Sequence, residues 1–242
     1  MTGHRVFGRE GAEFGRGIGF LDAIYGFAIT LLVTNIDVPQ ADEWRDLSQL
    51  LGGALGPQLL GFFITFVVIA VFWRHNMVLL SRFTGLDGAI VTANLVTAGL
   101  IVLLPFTTQG MSDPDISEYP LPTALYAVNV ALVIASQWMT LEIGRARGLL
   151  KEHLSREAVR ASRIDIIAQL CVFLGSVPVA FLTDPDWARL SWLLMIPIGR
   201  ITGKWSARLA ARDSRDAGAD RPSAEDAPSD GGSASPSDPL PS

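Results

Sequence analysis

One cysteine and three histidines are all that this chain of 242 residues offers for soft-metal or thiol chemistry. The lone Cys171 excludes an intrachain disulfide and any paired-cysteine metal site. His4, His75 and His153 lie far apart, so no metal-spaced histidine pair exists. A phosphate-cradling loop and a nucleophile elbow are missing too. An enzyme needs a nucleophile and a base at matching depth, and none can be assembled here, so we read the chain as a non-enzyme without cofactor or metal. A cleavable signal sequence is also lacking, since the first 15 residues are polar and no small-residue cleavage site follows an apolar run.

Charge is scarce. Asp, Glu, Lys and Arg make up 18% of the residues, whereas 49% are hydrophobic. The net charge of −5 belongs to the tail, because residues 213–242 hold seven Asp/Glu and two Arg. The rest of the chain is balanced, and nothing in it suggests a nucleic-acid partner. The tail is built from Pro, Ser, Gly and Asp without aromatics. Such a segment cannot bury enough apolar area to offset its ordering entropy, so residues 206–242 are expected to form a disordered acidic cytoplasmic tail.

What the chain does have is long apolar blocks, each close to the roughly 20 residues a helix needs to span the hydrocarbon core. Six are marked, at 19–36, 57–74, 89–108, 121–141, 164–183 and 187–203. The expected fold is therefore an all-α, multi-pass cell-membrane protein. It has a cytoplasmic N-terminal segment (1–15), a six-helix transmembrane domain (16–205) and the tail. The sixth block is the weakest, with Arg189 at its start and Pro197 near its end.

Charge asymmetry orients the spans. With both termini cytoplasmic, the inner segments collect 17 of the 19 Lys/Arg, and only Arg45 and Arg189 stay outside. The outer segments carry Asp37, Asp42, Glu43, Asp46, Asp113, Asp115, Glu118, Asp184 and Asp186. Such a surface can raise the local cation concentration at a pore mouth. The plainer account is that excluding Lys and Arg simply leaves Asp and Glu behind, and it is the commoner case.

The first span keeps a carboxylate, Asp22, whose cost at a helix centre is roughly 2.5–3.5 kcal/mol on insertion scales. Arg16 is six residues earlier, too far for the three- or four-residue spacing of helical pairs. Other helices must supply partners, and His75 and Asn94 stand at comparable depth. We expect an interhelical polar network of Arg16, Asp22, His75 and Asn94, and favour a structural role for it over direct ion or proton handling. Phe27, Leu31 and Thr34 share one face of the same span, with Thr30 nearby. If that face lines a pore, the neck is apolar and can gate by dewetting, although such a stripe is more often ordinary packing.

The stretch "RGIGFLDAIYGFAITLLV" (Arg16–Val33) resembles the Arg-x-x-x-Phe-Ser-Asp opening of the transmembrane protein 175 family, through Arg16, Phe20 and Asp22. "FWRHN" (Phe72–Asn76) is similar to the Trp-x-x-His-His end of that family's second helix. "NLVTAGLIVLLPFTT" (Asn94–Thr108) is similar to its third helix and "LYAVN" (Leu125–Asn129) to its fourth. There are departures: Leu21 replaces the motif serine, Phe27 stands where isoleucine is usual, and the second-helix tryptophan is either replaced by Phe72 or displaced to Trp73. The resemblance implies a homotetrameric potassium channel whose first helix lines the pore. Ions would pass bulky apolar side chains instead of a carbonyl filter, and indeed no TVGYG-like run occurs. Animal members of the family are described as conducting protons as well.

These readings combine into a potassium-permeable cation channel with potassium ions and membrane lipid as partners. Its constriction would be formed by Phe27, Leu31, Thr34 and Thr30. The rival is a proton-coupled secondary transporter using Asp22, Glu142 or Asp165. A third reading is a nonconducting membrane assembly protein.

Overall fold

The computed structural model describes residues 6–151 and 156–192. A two-residue strand, β1 (Phe7–Gly8), leads into α1 (Ala12–Leu31), which tightens into a 3-10 turn at Leu32–Asn35. The short helix α2 (Leu47–Gly52) precedes the long α3 (Leu55–Ser81), and β2 (Gly85–Leu86) follows. Next come α4 (Gly88–Val102), α5 (Leu104–Ser112), α6 (Pro120–Ala146), α7 (Arg156–Leu182) and α8 (Pro185–Ser191).

Five helical segments are long and apolar enough to cross a membrane: Ala12–Asn35, Leu55–Ser81, Gly88–Ser112, Pro120–Ala146 and Ser162–Leu182. Each overlaps one of the first five expected spans. The sixth, expected over 187–203, opens inside α8 and lies outside the described residues beyond Trp192. The expected tail over 206–242 lies outside them as well. Two details differ from expectation. Part of the N-terminal segment is folded, because β1 pairs antiparallel with β2, Phe7 opposite Leu86. The third span is not one helix but two, α4 and α5, parted at Leu103 ahead of Pro105. Proline has no N–H to donate, so the rung it would have closed is lost.

The helices run up and down, and α6 is their centre. Its span is 56% buried, against 22% for the span that contains α1. One apolar cluster joins α1, α3 and α6 through Tyr25, Ala28, Ile69, Phe72 and Val130. A second sits nearer the N-terminus, around Phe14, Leu21, Leu79, Phe83 and Ile90. Many polar groups in this interior are paired, which offsets their desolvation, although Asn76 Oδ1 and Ser112 Oγ are buried without a partner. Thr65 meets the Thr108 hydroxyl at 2.8 Å and donates to the Tyr126 hydroxyl at 3.2 Å, and Thr97 donates to Ser136 at 3.0 Å.

The N-terminal end of the bundle is closed by local chemistry. Asp87 is buried and caps α4 by accepting from the Ile90 N–H at 2.9 Å, while its other oxygen takes the Arg147 guanidinium. A buried carboxylate left without that cation would be costly. Gly148 has φ +66°, a left-handed conformation in which a side chain is strained. It ends α6 in a Schellman turn, with the Leu149 N–H donating to Gly144 O at 3.0 Å and the Gly148 N–H to Arg145 O at 3.1 Å. The turn delivers Leu149 and Lys151 to the segment after α3, where Thr84 N–H donates to Leu149 O at 2.8 Å. Close packing seals the junction, because a Cβ on Gly144 would run into the buried ring of Phe83. Gly144→Ala is therefore expected to destabilise the protein by about 1–3 kcal/mol, as overpacking of a core does. A thermal midpoint in detergent equal to that of the parent would refute this.

Candidate functional site

The helix that carries the sequence signature is packed on one side only. On α1, Phe14, Leu21, Tyr25 and Ala28 are buried against the subunit. Arg16, Phe20, Ala23, Phe27 and Thr30 lie on the opposite side and are exposed, and Thr34 continues the line in the 3-10 turn. The spacing of three to four residues makes these a single stripe. Phe27 is 64% exposed, although it is a large aromatic in the middle of a span. Leu31 is half-buried at the border of the stripe. The expected constriction residues thus stand together on a face that their own subunit leaves uncovered.

The two threonines have their hydroxyl hydrogens committed. Thr30 Oγ1 donates to Phe27 O at 2.8 Å, and Thr34 Oγ1 donates to Leu31 O at 2.7 Å. Each hydroxyl oxygen retains two acceptor lone pairs. The stripe is therefore apolar at Phe27 and offers oxygen acceptors at Thr30 and Thr34.

Behind the stripe, polar ties hold α1 to its neighbours. Asp22 Oδ1 accepts from the Trp73 indole N–H at 2.9 Å. Of the two adjacent positions in the second-helix pattern, Trp73 reaches Asp22, whereas Phe72 is buried in the core. His75 is paired with Gln137 on α6, Nδ1 to Oε1 at 2.8 Å. The Gln137 amide nitrogen donates to Phe72 O at 3.1 Å and lies 3.5 Å from the Tyr25 hydroxyl. Phe72 O can only accept, which fixes the amide orientation and turns Oε1 toward the imidazole, so His75 Nδ1 carries the hydrogen. Asn94 is buried and donates to Ile90 O of its own helix at 3.0 Å.

The four residues expected to form one network therefore have these partners within the chain: Asp22 with Trp73, His75 with Gln137, and Asn94 with its own backbone. Arg16 is exposed at the head of the stripe, and no ion pair among the described residues includes it. Trp73, Gln137 and Tyr25 were not singled out as network members from the sequence. Each is a polar group at the depth of Asp22 or His75, and that depth was the available signal.

The opposite end of α1 is tied as well. Asn35 Nδ2 donates to Pro105 O at 2.6 Å. Gln58 of α3 grips Asp37, accepting from its N–H at 3.0 Å and donating to its carboxylate at 2.8 Å. The loops at this end carry the nine carboxylates named above. One of them, Asp46, is held below the usual carboxylate range by the hydroxyl and backbone N–H of Ser48, so its charge persists at neutral pH. The carboxylates of the rival reading are partnered. Glu142 pairs with Arg145 at 3.5 Å and Arg163 at 3.3 Å, and Asp165 Oδ2 accepts from Gln169 at 2.9 Å. The Asp165 Oδ1 oxygen is buried without a partner. No group of three or more His, Cys, Asp or Glu among the described residues is placed to hold a metal ion.

Comparison with known proteins bears on this geometry. The pattern of the family described as "Endosomal/lysosomal potassium channel TMEM175" matches residues 16–105. A potassium channel of Streptomyces collinus is 27% identical over 176 residues, which covers 72% of this chain and 85% of its own length. A potassium channel of Chamaesiphon minutus is 29% identical over 157 residues, covering 63% of this chain and 76% of its own. The crystal structure of a lysosomal potassium-selective channel TMEM175 homolog from Chamaesiphon minutus aligns with a TM-score of 0.64 at 22% identity, covering 79% of this chain and 98% of that one. The likeness to that structure is one of fold.

The Asp22–Trp73 bond yields a direct test. Trp73→Phe should lower stability by about 1–2 kcal/mol, the low end of the range for a hydrogen bond to a charged group because the site is half-exposed. Adding Phe72→Trp should not restore it, since position 72 faces the core. Full recovery of the thermal midpoint in the swapped pair would show that the bond is not what matters.

Proposed function

We propose that the chain is a member of the transmembrane protein 175 family and a potassium-permeable cation channel conducting passively through a neck lined by α1. One observation carries the location of the neck. The uncovered stripe of α1 puts Phe27, Thr30 and Thr34 in line, while Phe14, Leu21, Tyr25 and Ala28 pack the opposite side against the subunit. In a homotetramer with α1 innermost, four such stripes would face one axis. The subunit would have six spans, with both termini cytoplasmic.

The physics of the neck follows from its chemistry. A ring of Phe27 side chains offers no ligand to a cation, so an ion passing it must shed part of its water or wait for the neck to wet. The Thr30 and Thr34 oxygens then replace lost waters, because their hydrogens are committed to the helix. The acidic loops would lie outside, where they raise cation concentration at the mouth. Arg16 would stand on the same line at the inner end, where its charge disfavours cations. In this reading Asp22 is structural, and it holds α1 upright through Trp73.

The transporter reading has less support. Two of its three carboxylates, Asp22 and Glu142, already have partners, and Asp165 keeps one oxygen bonded.

The reading is tested by flux in liposomes loaded with potassium or sodium and holding equal amounts of oligomer. The parent should pass potassium without a coupled substrate. Phe27→Ala should raise that flux by about tenfold, which corresponds to roughly 1.4 kcal/mol off the barrier. Unchanged flux in both Phe27→Ala and Phe27→Asn would falsify the assignment of the neck. Asp22→Ala should lose folded oligomer before it alters the ratio of potassium to sodium flux, and the reverse order would make Asp22 part of the path.

A further inference from the structure

The break in the third span has no direct place on the proposed path, yet it is built with care. In an unbroken helix the Leu104 N–H would donate to Leu100 O. Here the side chain of Asn129, on α6, is inserted between the two. In the orientation that satisfies both its amide atoms, its nitrogen donates to Leu100 O at 3.2 Å and its oxygen accepts from the Leu104 N–H at 3.3 Å. Turned the other way, it would have only a 3.4 Å contact to the Thr107 hydroxyl. Side-chain insertion into the helical ladder is a recognised cause of a sharp kink. Asn129 is 5% exposed and sits on the most buried helix of the bundle, so the wedge cannot easily move.

One residue beyond the wedge, Pro105 turns its carbonyl toward α1 and accepts from Asn35 at 2.6 Å. Asn35 is the last residue of the 3-10 turn that ends α1 and directly follows Thr34. A continuous line of contacts therefore runs from the core of α6 to the end of the stripe: Asn129, the opened Leu100–Leu104 rung, the Pro105 carbonyl, Asn35, Thr34.

We propose that Asn129 and Asn35 are positioning residues for selectivity, setting where the Thr34 oxygen stands on the conduction path by holding the break and the end of α1 in register. The inference rests on the reading of α1 as pore wall. Neither side chain touches the ion. Their effect passes through Thr34.

The test is the ratio of potassium to sodium flux in liposomes holding equal amounts of purified oligomer, with thermal stability measured alongside. Asn35→Ala removes the donor. Asn35→Asp keeps the shape but sets an acceptor against the Pro105 carbonyl, so it should shift the ratio at least as far. Each should shift it by about threefold or more, toward the lower end of couplings within one hydrogen-bond network. Asn129→Leu should act in the same direction, and Asn35→Ala with Asn129→Leu together should do no more than the larger single change. Should Asn129→Leu fail to assemble, the two Asn35 variants carry the test, since their site is only half-buried. Flux ratios equal to the parent in both, even with a lowered thermal midpoint, would reduce the link to ordinary structure and overturn the proposal. If the parent passes no potassium, or Phe27→Ala and Phe27→Asn both leave its flux unchanged, the pore reading itself falls and takes this inference with it. If the parent conducts and Phe27→Ala alters its flux while the Asn35 variants do not, only this inference falls.

Discussion

Hydrogen-bonding groups placed at membrane depth must find partners inside the protein, because lipid supplies none. Much of the arrangement around α1 can be read as the consequence. Its carboxylate, Asp22, is answered by Trp73 of α3, and its phenol, Tyr25, lies against Gln137 of α6. The end of its 3-10 turn is answered by the Pro105 carbonyl of α5. Three different helices thus hold one helix, two of them near its middle and the third at its end. The side they do not hold is the side that carries Phe27, Thr30 and Thr34.

The partner to that uncovered side is the buried spine of α6. Gln137 and Asn129 each use a side-chain amide to satisfy backbone groups of other helices, the first at Phe72 O and the second at the opened rung of the third span. An amide suits the task because it carries donors and an acceptor on one rigid plane. A hydrophobic residue at 129 would leave the Leu100 carbonyl and the Leu104 N–H unpaired, and one at 137 would strip His75 Nδ1 of its acceptor, at a cost of about 1–3 kcal/mol per buried group. Membrane helices gain little from apolar contact with one another, since lipid is equally apolar. Close approach and satisfied polar groups therefore set the packing, as at Gly144 against Phe83.

The candidate site was partly legible before any fold was known. Asp22 stood out because a carboxylate within an apolar run is expensive, and Phe27, Leu31 and Thr34 because their spacing puts them on one face. The partners were harder. Depth suggested His75 and Asn94 for Asp22, but the nearest donor at that depth is the indole of Trp73, one position beyond the core-facing Phe72. Neighbours in sequence on a helix point in different directions, so which of Phe72 and Trp73 met Asp22 depended on the rotation of α3, and composition does not encode that rotation. Asn129 was visible only as part of a family-like stretch, because its role depends on a break in another helix.

By itself the sequence determined the class of the protein. Apolar blocks near the length of a bilayer crossing, a carboxylate within the first, and basic residues concentrated in alternate connections are properties of the linear chain, since hydropathy and charge act residue by residue. The helix ends were equally local, with Asp87, Pro105, Pro120 and Gly148 at positions where capping and backbone geometry favour them. The tertiary structure decided which side of α1 is left bare, that Trp73 and not Phe72 answers Asp22, and that Asn129 wedges open the third span. Those outcomes depend on how helices rotate and approach one another. Rotation is settled by the joint satisfaction of polar groups on several helices at once, which no single stretch of sequence contains.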